Sequence, residues 1–320
     1  MHRILPALAL ALALALAAAL APLPVRAQAE TPRELVLPVG DNVIEVLLNG
    51  APVRLEVTAE AFGPAVVNPA LAERLALVAD QRRGWRFGPV TVEGRSGRQE
   101  VDFGHARREV TVAWADAPVS SRADGMIGIH HLPYERVTLL LGEPRAGEQV
   151  ERLPLRRAGG GLFGNARIGT PVAAGRRELL AIFVPEFTPH NLVTAPTATF
   201  LATHFEGGFT PEPPGAVNMR FGVTRPIRPM RIARPLAIGS LAIDHFAVRY
   251  EDYGSTERVG EVAENDPRFE KGSILVSRRR QEGRPDLLTR IGSEELAHCS
   301  RLTYDLAARV IELACLPRGE

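Results

Sequence analysis

The chain has 320 residues, with 38 Lys and Arg against 37 Asp and Glu, so its formal net charge is +1. Hydrophobic residues make up 45% of the sequence and charged residues 23%, which are ordinary values for a globular protein. These figures exclude a polycation that binds nucleic acid through its charge and an acidic disordered chain, and the length suffices for about two domains.

The first 29 residues have the pattern of a secretory signal. Arg3 provides a basic start, an apolar run extends from Ile4 to Leu23, and Ala27-Gln28-Ala29 supplies small residues for cleavage. Cleavage after Ala29 removes two arginines and no acid, which leaves 36 of the 38 basic residues beside 37 acidic ones. We therefore expect an exported protein, periplasmic or extracellular. The alternative is an uncleaved anchor, the one case in which a membrane association is expected.

Predicted strands dominate the first half of the mature chain. Asn49-Gly50 is a strong signal for a tight hairpin. Pro69 to Leu77 follows Asn68 as N-cap and reads as a short helix. Gly142 to Gly164 reads as a glycine-rich linker. Strands are expected at Glu34 to Val39, Val43 to Leu48, Val53 to Val57, Val90 to Glu93, Glu100 to Phe103, Glu109 to Trp114 and Arg136 to Leu141.

The second half repeats this pattern. A helix is expected around Ala195 to His204, and Glu251 to Gly272 reads as a polar loop. Strands are expected at Leu179 to Val184, Val217 to Val223, Leu236 to Ile243, Phe246 to Tyr250, Ile274 to Ser277, Arg301 to Asp305 and Arg309 to Ala314.

The two cysteines lie near the C-terminus. Cys299 and Cys315 form an isolated pair, which in an oxidising compartment is most simply a disulfide. The neighbouring His298 raises the alternative of a catalytic Cys-His pair. Adjacent residues rarely direct both side chains at one substrate, so the disulfide is favoured.

Two landmarks indicate a tandem duplication. Ile127-Gly128 is followed by Leu132 and a strand, and Ile291-Gly292 is followed at the same offset by Leu296 and further strands. Duplication with a linker explains this order. Together with the predicted signal at residues 1–29, the duplication divides the chain into lobes at 30–145 and 166–320, joined by a linker at 146–165.

Several segments of the sequence resemble a known protein family. Val53 to Val57, followed by residues 65–77, is similar to the opening of a pepsin-type or retropepsin aspartic peptidase domain. Asp124 to Ile129 resembles the family's second signature, and Ile291-Gly292 resembles that signature in a second lobe. The resemblance implies a mainly β, two-lobed, pepsin-like double β-barrel with short helices. It places Trp85, Phe87 and the hairpin containing Gly94 in a flap over a cleft that Ile127, Gly128, Ile291 and Gly292 border.

The catalytic motifs of the family are missing. Its enzymes need one aspartate from each lobe, close enough to share a proton. Where that family has Asp-Thr-Gly, this chain has Thr58-Ala59-Glu60, and the matching turn in the second half is Pro185-Glu186-Phe187 or a residue either side. The sequence contains no Asp-Thr-Gly or Asp-Ser-Gly. Glu60, Glu186 or Asp124 could act as substitute acids, but turn carboxylates are the simpler interpretation.

Other chemistry finds little support. His130 and His131 have no Cys, Asp or Glu at a metal-ligand spacing from both, so no metal is expected. The motifs of serine hydrolases, phosphate loops and zinc peptidases are absent from the sequence, and no cofactor is expected.

A row of arginines suggests a contact surface. In a polyproline II segment three residues complete a turn, so arginines three apart would align and receive an acidic partner, a lipid headgroup or a polysaccharide. The alternative is a proline-protected edge strand kept soluble by its charges. The arginines are Arg225, Arg228, Arg231 and Arg234.

Together these features predict an exported, non-catalytic protein that binds an extended peptide or protein segment in the cleft between two lobes. Strand addition would supply the affinity without a catalytic acid. The first alternative is an atypical aspartic-type endopeptidase that uses Glu60, Glu186 or Asp124. The second is a structural envelope protein with no open cleft.

Overall fold

The computed structural model describes residues 34–60, 65–159, 166–174, 177–250 and 287–317. The predicted signal at residues 1–29, the loop Glu251 to Gly272 and the strand Ile274 to Ser277 lie outside the described residues. The described residues belong to one compact unit, Thr31–Glu320. None of their helices is long and apolar enough to cross a membrane.

The protein is mainly β, as the sequence predicts. Two α-helices lie within the described ranges, α1 at Pro69–Arg74 and α2 at Ala195–Phe205. The strands are β1 Glu34–Pro38, β2 Val43–Leu48, β3 Ala51–Thr58, β4 Ala65–Val67, β5 Gln81–Phe87, β6 Val90–Asp102, β7 Arg107–Ala115, β8 Gly125–Gly128, β9 Arg136–Leu140, β10 Gln149–Pro154, β11 Arg156–Gly159, β12 Ala166–Ala174, β13 Arg177–Phe183, β14 Leu192–Thr194, β15 Gly207–Phe209, β16 Gly215–Asn218, β17 Thr224–Ile238, β18 Leu241–Arg249, β19 Leu288–Ile291, β20 Cys299–Asp305 and β21 Val310–Cys315.

An N-terminal sheet of seven strands has the order β2-β3-β8-β4-β7-β6-β5. Its first hairpin turns at Asn49 and Gly50, whose φ angles of 50° and 83° are left-handed, as the predicted tight turn requires. In this sheet β3 runs parallel to β8, β8 antiparallel to β4, and β4 parallel to β7.

A C-terminal sheet of nine strands has the order β11-β12-β13-β19-β14-β18-β17-β15, with β16 also paired to β17. Here β13 runs parallel to β19, β19 antiparallel to β14, and β14 parallel to β18. The same succession of pairings therefore occurs in both large sheets.

A central sheet of five strands, β1-β9-β20-β21-β10, combines strands from both ends of the chain. Cys299 and Cys315 are cross-strand partners on β20 and β21 and form the predicted disulfide, with an S–S distance of 2.03 Å. Tyr304 of β20 is fully buried, and its hydroxyl donates a hydrogen bond to the Phe183 carbonyl oxygen at 3.0 Å. The central sheet thus fixes the end of β13, where the second candidate motif begins.

Four predictions of local structure were wrong. The expected linker contains β10 and β11, because strands distant in sequence, β21 and β12, pair with them. Residues 90–102 form the single long strand β6 and not two short ones, because β5 and β7 flank it on either side. The strand expected over Leu236 to Ile243 is interrupted at Gly239 and Ser240 by the turn between β17 and β18, where Gly239 adopts a φ of 61°. The strand expected over Val217 to Val223 ends at Asn218, and Arg220–Gly222 form a 3-10 turn.

Candidate functional site

The ends of β3 and β13 bring the two candidate motifs to equivalent places. Val57 pairs with Ile127 on β8, and Phe183 pairs with Ile291 on β19. Counting from these pairs, Thr58 corresponds to Val184, and Glu60 corresponds to Glu186. The second motif therefore begins one residue before Pro185, which is within the range that the sequence allowed.

Thr58 joins the two halves of the chain. Its buried hydroxyl donates a hydrogen bond to Oε1 of Glu186 at 2.7 Å and accepts one from the backbone N–H of Glu60 at 3.1 Å. Thr58 is thus bound to the carboxylate that projects from the other half.

Glu60 is held in a buried ion pair. Nε of Arg290 donates to its Oε2 at 2.7 Å, and Nη2 of Arg290 contacts its Oε1. Both side chains are only 5% exposed. Burial by itself would raise the pKa of Glu60, but the charge and hydrogen bonds of Arg290, together with the charges of Arg167 and Arg220, lower it to about 2. This carboxylate is therefore ionised and compensated at all physiological pH values.

Glu186 has the opposite character. Burial raises its pKa to about 7, although the hydrogen bond from Thr58 and the charge of Arg220 act in the other direction. The residue is partly exposed, but its Oε2 atom is buried and has no hydrogen-bond partner among the described residues. The two glutamates therefore titrate over different pH ranges and have different hydrogen-bond partners, unlike a pair of carboxyl groups that shares one proton.

A third carboxylate, Glu56 of β3, lies beside this pair. Its Oε1 accepts hydrogen bonds from Arg220 at 3.1 Å and from Arg122 at 2.9 Å, and its Oε2 accepts one from Ser120 at 2.9 Å. Burial raises the pKa of Glu56, but Arg220, Ser120 and Arg122 together lower it. Arg220 follows β16, so this ion pair also connects the N-terminal and C-terminal sheets.

The sequence interpretation missed Glu56, Arg220 and Arg290. Two local signals were available for them. Glu56 interrupts the apolar end of a predicted strand just before Thr58, and Arg290 directly precedes the Ile291-Gly292 landmark. A charged residue at a position that must be buried calls for a partner of opposite charge, although the sequence does not say which one.

The predicted flap residues are packed and not open. Trp85 and Phe87 on β5 are 6% and 2% exposed, and their ring centroids lie 4.7 and 6.2 Å from that of Phe221. Gly94 on β6 makes room for this packing, since a Cβ there would lie 2.5 Å from Cζ3 of the Trp85 ring. The β5–β6 hairpin therefore contacts the turn at Arg220–Gly222 in the other half of the chain.

The paired landmarks Ile127-Gly128 and Ile291-Gly292 lie on or next to the strands that pair with β3 and β13. Both isoleucines are buried in the core. A Cβ on Gly292 would lie 2.4 Å from the Pro189 carbonyl oxygen, so only glycine fits there without a shift of the backbone. These four residues position the ends of β3 and β13.

Asp124 does not belong to this cluster. Its Oδ2 accepts a hydrogen bond from the backbone N–H of Arg54 at 3.0 Å, at the opposite end of the β3–β8 pair from Thr58. Arg54 lies four positions before Thr58 along the strand, a distance of roughly 13 Å. The interpretation of Asp124 as a turn residue agrees with this position.

The four arginines expected to align lie in β17, which pairs with β18 on one side and with β15 and β16 on the other. The polyproline II expectation was wrong, because residues three apart in a strand point to opposite faces. Their contacts also differ: Arg225 is 6% exposed, Arg228 lies 4.0 Å from the Phe209 ring centroid, Arg231 pairs with Asp244 at 3.3 Å, and Arg234 pairs with Glu206 at 3.4 Å. An acidic partner for these arginines stays a prediction.

One cluster within the described part of the chain has metal-ligand atoms close together. The side chains of His298, Cys299 and Cys315 lie within 4.8 Å of one another. Both sulfur atoms belong to the disulfide, so neither is available as the thiolate that a metal ion would need.

The chain has limited similarity to known proteins. No family model matches the chain, and no curated protein matches it. Among solved structures, "EIAV protease complexed with the inhibitor HBY-793" is similar, with 20% sequence identity over 27% of this chain and 79% of that chain, at a TM-score of 0.21. Similarity of this extent does not assign the protein to a family.

Proposed function

We propose that the protein is exported, has a two-lobed, pepsin-like double β-barrel architecture without catalytic activity, and binds an extended peptide or protein segment between its lobes. The observation that carries this proposal is the arrangement at the paired strand ends. A hydrogen bond from Thr58 to Glu186 and an ion pair between Glu60 and Arg290 stand where an aspartic peptidase needs two carboxylates that share a proton.

The charges at these positions argue against proteolysis. An aspartic peptidase activates water with one carboxylate while the other, protonated, donates to the substrate carbonyl. Both oxygens of Glu60 are engaged by Arg290, and its pKa of about 2 makes it a weak base. Glu186 is bound to the Thr58 hydroxyl. Neither glutamate is therefore arranged to hold a water molecule jointly with the other.

The edge of the N-terminal sheet supports peptide binding. Strand β5 ends that sheet, and β6 is its only strand partner within the described ranges. An extended segment can add to this edge through main-chain hydrogen bonds, and because β5 carries the predicted flap residues, the added segment would border the predicted cleft between the lobes. Arg82 and Arg86 are exposed on one face of β5, whereas Trp85 and Phe87 on the other face pack towards the candidate site. The expected ligand is therefore an extended segment with acidic side chains at alternate positions.

A binding and cleavage experiment on one peptide library tests this function. The purified protein is incubated with the library at acid and at neutral pH, and mass spectrometry identifies both retained peptides and new termini. We expect retention of acidic, extended peptides without cleavage. Arg82→Glu with Arg86→Glu should abolish retention, whereas Arg301→Glu, at an exposed position of the central sheet, should preserve it. If the Arg82→Glu, Arg86→Glu variant retains the same peptides as the original protein, binding at β5 is contradicted.

A second candidate is an atypical aspartic-type endopeptidase with Glu186 as general base. It is favoured by the pKa of about 7 and the 2.7 Å hydrogen bond from the Thr58 hydroxyl, since a base works best with a pKa near the working pH. In that case the protein would cleave library peptides, and both Glu186→Gln and Thr58→Val would abolish cleavage.

A third candidate is a structural protein whose groove is filled, favoured by the contact between Trp85 and Phe221. Peptides that bind between the lobes should alter the fluorescence of Trp85, and Trp85→Phe should remove that change. An unchanged emission with every peptide, together with no retention, would support the structural role.

A further inference from the structure

A pocket of about 550 Å³, open to solvent and bordered by exposed arginines, is lined by residues other than Thr58, Glu60 and Glu186. His130, on the turn after β8, forms part of its wall. The remaining wall comes from Leu155, from β11 and β12, and from the turn between β20 and β21. The volume falls within the range of sites for small molecules.

His130 lacks hydrogen-bond partners in this wall. Both of its ring nitrogens are buried, and neither has a partner among the described residues. Burial, together with the charges of His131 and Arg157, lowers the pKa of His130 to about 3. Its neutral ring therefore keeps one N–H donor without an acceptor, which is costly in a buried position unless a ligand or water satisfies it.

The rest of the wall combines positive charge with apolar surface. Three arginines line the pocket, of which Arg156 pairs with Glu178. Arg157 and Arg309 form no ion pair with an acidic residue in the described part of the chain. Three aliphatic side chains complete the wall, those of Leu155, Ile168 and Leu306.

We propose that this pocket binds a small amphiphilic anion, with a carboxylate or phosphate head on an apolar body. The head accepts hydrogen bonds from Arg157 and Arg309, which guanidinium groups form well with planar or tetrahedral oxyanions. The apolar body covers the aliphatic wall. The site is independent of peptide binding at β5.

Calorimetric titration of the purified protein tests the proposal with four probes. Octanoate and octyl phosphate carry the two heads on the same apolar body, octanol lacks the charge, and acetate lacks the body. We expect at least one of the two anions to bind at least tenfold more tightly than octanol and acetate. The better anion identifies the head. Equal binding of octanol, or no binding of either anion, would overturn the proposal.

Variants locate the site. Arg157→Gln and Arg309→Gln should each weaken the better anion at least tenfold, whereas Arg301→Gln, which changes an exposed arginine of the central sheet, should leave binding unchanged. Thermal unfolding of each variant establishes that it is folded. Bound anion should also raise the pKa of His130 in an NMR titration, because a negative charge stabilises the imidazolium. Unchanged affinity in the Arg157→Gln, Arg309→Gln double variant would refute this location.

Discussion

Replacement of Glu186 by Gln should change how stability depends on pH. Gln has nearly the same shape as the protonated acid, and its side-chain oxygen can still accept the hydrogen bond from Thr58. It cannot ionise. The comparison therefore isolates the cost of ionising this one buried carboxyl group in the folded protein.

The sign and size of the effect follow from the pKa of Glu186, which is raised from 4.5 to about 7. A folded-state pKa above the unfolded value gives a stabilising contribution that is complete below pH 4.5 and is lost as the pH rises through about 7. The loss amounts to about 3 kcal/mol. Glu60 and Glu56, whose pKa values are lowered, affect both proteins equally.

Urea unfolding at a series of pH values measures the difference. We expect Glu186→Gln and the original protein to have similar free energies of unfolding near pH 4 and to differ by about 3 kcal/mol near pH 8, with the Gln variant more stable. Glu143→Gln removes an exposed charge and serves as the control. Parallel pH profiles for the original protein and the Gln variant would refute the assignment of a buried, neutral Glu186.

Three further changes test the same region and its support. Glu60→Gln removes the carboxylate that pairs with the buried Arg290 and should cost about 3–5 kcal/mol in the free energy of unfolding, measured in urea. Cys299→Ser with Cys315→Ser opens the disulfide and should cost about 3 kcal/mol, also measured in urea. Phe221→Ala removes the ring that packs on the β5–β6 hairpin, should cost about 3–5 kcal/mol, and should shift tryptophan fluorescence to the red.

Each of these changes has a control or a contrary result. Glu109→Gln breaks the exposed pair with Arg98 and should leave the free energy of unfolding almost unchanged. An equally small effect of Glu60→Gln would mean that the Glu60 pair is not buried. Addition of reductant to the unaltered protein should reproduce the loss seen in the double serine variant. An unchanged emission spectrum in Phe221→Ala would show that this ring does not shield Trp85.

The sequence predicted features whose causes are local. Asn49-Gly50 turns the first hairpin because these residues tolerate positive φ. Pro69 begins α1, as its fixed φ favours. Cys299 and Cys315 were the only cysteines and are bonded. In each case a few neighbouring residues determine the result.

Features that depend on distant partners were not predicted. Strand β10 was assigned to a linker because its partner, β21, lies at the other end of the chain. Arg290 is 230 positions from Glu60, so nothing near either residue identifies the other. The candidate motifs themselves were located through their resemblance to a family. Their chemistry became clear only from the partners of each glutamate, because burial and ion pairing decide which carboxylate is ionised.

The most direct test of the central claim is to measure retention and cleavage of library peptides by the same purified protein. The account predicts that acidic, extended peptides are retained through β5 and recovered intact, at acid as well as neutral pH. Cleavage of those peptides that a statine-type inhibitor blocks and that Glu186→Gln abolishes would contradict it.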